Sequence, residues 1–209
     1  MKRTVLAPAM LALILAGGMV GVSRAADADG KPDDEGFLRQ WLVLAPIPLA
    51  DGQSGADAVG LEQVPDEAKL HPKENDKVTV GEKELVWTKR ESDDALVDFN
   101  KIIGQTTENS VAYAVVYVTA EDEMPGLKLK IGSDDEARVY LNGKELLKHT
   151  EARAAEKDQD TVEDVTLKKG INTLILKVVN ESEEWSACAR FTDKDDKPVT
   201  GIKLGLKPE

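Results

Sequence analysis

GSDDEARVYLNGKEL, residues 132–146, and VTLKKGINTLILKVV, residues 165–179, decide the fold class of this chain. In the first, Ala137, Val139 and Leu141 alternate with Arg138 and Tyr140, the period of two that sends successive side chains to opposite faces of a strand. Asn142-Gly143 then forms a two-residue turn in which both positions tolerate positive φ, so the strand folds back as a hairpin. In the second, Gly170 closes a turn after Lys168 and Lys169, and Leu174, Leu176 and Val178 form one inward set. Both stretches describe antiparallel sheet.

Outward from this pair, Val111 to Val118 is apolar in both alternating sets, which predicts a central strand covered on both faces. Leu127 to Ile131 alternates with Lys128 and Lys130 and predicts one wet face. Trp41 to Leu44 reads as a buried strand stopped by Pro46 and Pro48. Glu84 to Lys89, Asp98 to Ile103, Val162 to Leu167, Trp185 to Thr192 and Val199 to Leu206 read as further strands. Asp51 to Asp76, punctuated by Gly52, Gly55, Gly60, Pro65 and Pro72, reads as loop with one short helix around Pro65 to Leu70. Glu151 to Asp160 reads as a charged, exposed excursion. Nine or ten strands with at most one or two short helices predict an all-β, antiparallel β-sandwich rather than a βαβ fold.

The beginning of the chain reads as an address. Lys2 and Arg3 precede an apolar run from Val5 to Val22, and Ser23-Arg24-Ala25 places small residues where a signal peptidase reads, so residues 1–25 are expected to be a cleaved signal peptide. A membrane anchor would need about 20 strongly apolar residues, and Pro8, Gly17, Gly18 and Gly21 dilute this run. The expected location is periplasmic or extracellular. Residues 26–36, ADADGKPDDEG, are expected to form a disordered acidic leader, and residues 37–209 a single domain. Asp27 and Asp29 resemble the start of a calcium loop, but Lys31 and Pro32 stand where a ligand and a glycine are required.

Cleavage after Ala25 would remove three of the 27 basic residues and no acid, leaving 24 against 39 and a formal charge of −15. A chain so acidic is repelled by phosphate backbones and anionic lipid, which excludes nucleic acid and membrane surfaces as expected partners. Cys188 is the only cysteine, so no intrachain disulfide exists; in Ala187-Cys188-Ala189 it reads as a small buried hydrophobe.

At the two opening stretches and at Trp185 the chain resembles the galactose-binding-like jelly-roll module related to the sugar-binding domain of glycoside hydrolase family two, in the version that recurs in secreted bacterial proteins. The family's Gly-Ser-Asp-Asp turn corresponds to Gly132 to Asp135, its strand ending in Asn-Gly to Val139 to Gly143, and its charged excursion to Glu151 to Asp160. Its Lys-Gly-x-Asn turn corresponds to Lys169 to Asn172, its leucine-rich strand to Leu174 to Val178, and its late aromatic to Trp185. The opening strand departs from the family, carrying Ala45-Pro46-Ile47 where Gly-Pro-Phe is commoner. The resemblance spans about residues 37–192 and implies a jelly roll and a carbohydrate-binding role. A fold does not carry an activity with it.

The candidate ligand-binding residues are Asp134, Asp135, Arg138, Tyr140, Trp185 and Trp87. Exposed rings commonly meet the apolar faces of sugars, and among the nine aromatic residues Trp87, Tyr140 and Trp185 are those not drawn into obviously buried runs. Asp134 and Asp135 are adjacent, so turn capping is their first reading, with sugar hydroxyls or a structural calcium second. No cofactor is expected. His71 and His149 lack metal-ligand spacing, and no GxSxG, HExxH, phosphate-loop or GxGxxG motif occurs, so no catalytic residue and no metal site are assigned. The expected function is that of a secreted, non-catalytic carbohydrate-binding module for a glycan or glycan-bearing partner. The alternative is an envelope protein-interaction or scaffold domain without a sugar ligand.

Overall fold

The structure, a computed structural model, describes Met1 and residues 30–208. Apart from Met1, the expected signal peptide lies outside the described residues, as does the leader as far as residue 29. In chain order the elements are β1 (Gln40–Pro48), α1 (Gly55–Gly60), a 3-10 turn (Glu67–Lys69), β2 (Lys77–Val80), β3 (Lys83–Val86), β4 (Thr88–Glu91), β5 (Val97–Asp98) and α2 (Phe99–Ile103). Then follow β6 (Ser110–Ala120), β7 (Met124–Asp134), β8 (Ala137–Leu141), β9 (Lys144–His149), β10 (Asp160–Leu167), β11 (Gly170–Asn180), β12 (Ser186–Thr192) and β13 (Lys203–Gly205).

The chain is an all-β antiparallel sandwich. A seven-stranded sheet runs β4-β1-β6-β11-β8-β9, with β13 also paired to β6; a four-stranded sheet runs β10-β7-β12-β5. β2 and β3 form a separate hairpin. Leu174, Leu176 and Val178 of β11 and Ala112, Ala114 and Val116 of β6 meet Leu129, Ile131, Ala189 and Phe191 of the smaller sheet in the central core, as the alternation of β11 requires. Asn142 and Gly143 both have positive φ (52° and 81°) and join β8 to β9.

β6 is apolar on both faces for two different reasons. Its Ala112, Ala114, Val116 and Val118 face the other sheet, while Val111, Tyr113, Val115 and Tyr117 lie under a cap formed by residues 51–87. Ala58 and Val59 of α1, Val64 and Trp87 complete this second apolar layer.

Several local expectations change. The strand through Trp41 runs on past Pro46 to Pro48, because its register to β6 jumps between Leu44 and Ile47 and the intervening Pro46 need donate nothing to the ladder. The predicted strand from Glu84 to Lys89 is two strands broken at Trp87, where the chain leaves the cap hairpin for the edge of the large sheet. Residues 99–103 are helical, capped by Asp98, whose carboxylate accepts from the Lys101 N–H (2.9 Å), and ended by Gly104 at φ 79°. The described residues hold thirteen strands.

The leader also differs where it is described. Gly30 exchanges two backbone hydrogen bonds with Leu204 (2.7 and 2.8 Å), and the Asp33 carboxylate accepts from the Glu35 and Phe37 N–H groups. Residues 30–36 are therefore part of the domain, held by main-chain pairing that composition does not reveal. Cys188 is buried, and desolvation pushes its thiol up to about 11.

Leu176→Ala, in the central core, should cost about 2–5 kcal/mol of unfolding free energy in urea. Ile171→Ala on the same strand, at a side chain 43% exposed, should stay within about 0.5 kcal/mol of wild type.

Candidate functional site

On the outer face of the large sheet Lys177 of β11 lies beneath the cap. Its position in a strand covered on both sides requires a partner, since an unpaired buried ammonium is costly. Glu67 of the 3-10 turn supplies it: Lys177 Nζ is 3.0 Å from Glu67 Oε2, with side chains 0% and 1% exposed. The ammonium also donates to the carbonyls of Leu61 and, at 3.5 Å, Val59.

The Glu67 carboxylate is saturated with donors. Tyr113 Oη donates to Oε2, Tyr140 Oη donates to Oε1 (2.6 Å), and an Arg138 guanidinium N–H donates to Oε1 (3.2 Å). Arg138 also donates to the Gly60 carbonyl (3.1 Å) and to Glu145 of β9 (2.7 Å). Burial, with Glu67 adding to it, raises both phenols far above the ordinary tyrosine value, so they remain O–H donors. Burial holds Lys177 below the ordinary lysine value, with Glu67 opposing that shift. Donors and acceptors here satisfy one another, and the arrangement pins the cap to the sheet.

A second group lies at the end of the sandwich where β7 turns into β8. Asp134 and Asp135, joined by a cis peptide bond, sit at this turn. Ser133 Oγ donates to the Asp135 carbonyl (2.9 Å) and accepts from the Arg153 guanidinium (2.9 Å). Asp135 Oδ2 accepts from the Glu181 N–H (2.8 Å), and Glu181 Oε1 accepts from the Gly55 N–H at the start of α1 (2.7 Å). Burial first, and then Asp135, Glu184 and Glu183, push Asp134 up to about 6; burial likewise raises Asp135 and Glu136. Ser133 thus caps this turn, and the Asp135 carboxylate ties it to the start of the β11–β12 connection.

The six expected ligand residues do not converge. Asp134 and Asp135 are at the acidic end, Arg138 and Tyr140 belong to the Glu67 network, Trp87 fills the layer under the cap, and Trp185 packs on Phe99 in the central core with ring centroids 5.3 Å apart. Trp87, Tyr140 and Trp185 are 1%, 3% and 1% exposed. The expectation of an aromatic platform is therefore corrected: the cap covers the face on which Tyr140 points outward, and Trp185 turns inward. Sequence reading missed Glu67, Lys177, Glu136 and Glu181. The available signal was Lys177 itself, a single charge in the apolar run from Leu174 to Val179. No family model, curated protein or solved structure matches the chain.

Removing Lys177 takes from the buried Glu67 carboxylate the closer of its two cations and leaves only Arg138. Lys177→Met should destabilise by about 3–5 kcal/mol in urea titration. Combining it with Glu67→Leu should recover part of that loss.

Proposed function

We propose that this chain is an exported, non-catalytic interaction module that holds a protein partner of the cell envelope through the acidic end of its sandwich. The observation that carries this reading is the burial of Trp87, Tyr140 and Trp185. A sugar face is commonly met by a ring, and these three are occupied inside the two cores. Charge is what faces outward. Glu183 and Glu184 are exposed beside Asp134, Asp135 and Glu181, and Glu108 joins them because the Asn109 N–H donates to the Glu181 carbonyl (3.2 Å).

Such a grouping steers a basic segment toward it and repels anionic surfaces, in keeping with the formal charge of −15 for the chain after Ala25. The glycan reading keeps the support of the family resemblance and loses its ring contacts. The Asp135 carboxylate is engaged by the Glu181 N–H, which supports recognition over hydrolysis as the role of this end.

A photoreactive residue in place of Glu184, in the full chain expressed in its own cells, should trap one protein through a basic segment. The same residue in place of Glu121, in the turn at the other end of β6, should not trap it. Glu183→Gln and raised salt should each lower the yield severalfold. A glycan array that binds the protein equally well with and without Glu183→Gln and Glu184→Gln would instead favour the sugar reading.

A further inference from the structure

Glu136 is the one carboxylate of the acidic end that is almost fully enclosed: it is 2% exposed, and its Oε2 has no hydrogen-bond partner. It lies just before β8, on the same face as Arg138 and Tyr140, where the start of α1 comes down on the sheet. The contact is so close that a methyl group placed on Gly55 would collide with both Glu136 carboxyl oxygens. Any larger residue there would have to push the Glu136 carboxyl aside.

Two N–H groups of this first turn are engaged elsewhere. Gly55 donates to Glu181 and Asp57 to Ser54 Oγ (3.2 Å). The charged groups that act on Glu136 are both acidic, Glu181 from the β11–β12 connection and Asp135 from its own turn. On α1, Asp57 is bound to the Ser54 hydroxyl (2.8 Å). Arg153, from the excursion before β10, is engaged by Asp160 and Ser133, and Lys177 by Glu67. Lys148 of β9 reaches the far end of α1, beside Gly60, and His149 is paired in register with Ala137.

We propose that Glu136 is an acid-set latch of the cap: uncharged, it lets α1 seat on the large sheet, and charged, it loosens that seat by repulsion from Glu181 and Asp135 and by desolvation. Burial, the largest cause, raises its pKa against the opposing pull of its own backbone N–H, and Glu181 and Asp135 add to the rise. A carboxyl whose folded value is raised contributes fully below its unfolded value of about 4.3, and that contribution is lost as pH rises through the folded value. Acidification from neutral therefore tightens the cap. A carboxylate held by a salt bridge has the opposite dependence.

Hydrogen exchange of the full chain reads this directly at the Ala58 and Leu61 amides, whose bonds to the Ser54 and Asp57 carbonyls close α1 (2.9 and 3.0 Å). After correction for intrinsic rates, protection should be higher at pH 5 than at pH 7.5, by about twofold or more. Glu136→Gln should give high protection at both pH values. Asp134→Asn, which leaves Glu136 in place, should retain most of the pH dependence of these two amides. Equal wild-type protection at the two pH values, or a Glu136→Gln chain that keeps the full difference, would overturn the latch. A variant-free measurement stands beside these: the Glu136 side-chain carboxyl carbon in the wild-type chain should titrate above the ordinary glutamate value, and a midpoint at or below it would also overturn the latch.

Discussion

The ion pair of Lys177 with Glu67 is the constraint around which the outer half of this protein is arranged. The large sheet would otherwise present an apolar face carrying Tyr113, Tyr117 and Ile175 to solvent, and a cap is needed to cover it. Apolar contact alone would let residues 51–87 settle in more than one position. A buried ammonium and a buried carboxylate admit only the arrangement in which each is met, because leaving either unmet costs several kcal/mol. The two phenols and Arg138 then fix the Glu67 carboxylate from the remaining directions.

The sandwich was legible wherever a segment's face was decided by its own alternation. β8 and β11 carry period-two patterns whose inward sets point where the pattern says, and β6, apolar in both sets, is covered on both faces. The cap was not legible, because its order comes from distant partners: Glu67 acquires its role from residues 46 to 110 positions away. α1 did have a local sign, Ser54 three residues before Asp57, and that pair does cap it. It was masked by Gly52, Gly55 and Gly60, which read as loop punctuation. α2 was misread because Phe99, Ile102 and Ile103 suit a strand as well as a helix, and only Asp98 and Gly104 distinguish the two.

The candidate site was legible in part. The turn at Asp134 and Asp135 is where polar groups gather, as its composition suggested, but the rings expected to accompany it are elsewhere. Tyr140 illustrates the reason. Alternation assigns a side chain to a face and cannot say whether another layer covers that face. A residue on the wet side of an isolated sheet becomes a core residue once the cap is in place, and its hydroxyl then serves Glu67 rather than a ligand.

The bridge between Gly30 and Leu204 has a mechanical meaning. It fastens the first described segment to β13, which takes the length of the β6 edge that β1 leaves open. Tension applied between these two segments would fall first on their pair of backbone bonds, opening them like a clasp, and only then on the three-residue β13, whose Leu204 is anchored in the central core. The domain could thus yield slack at its corner before any core residue is drawn out.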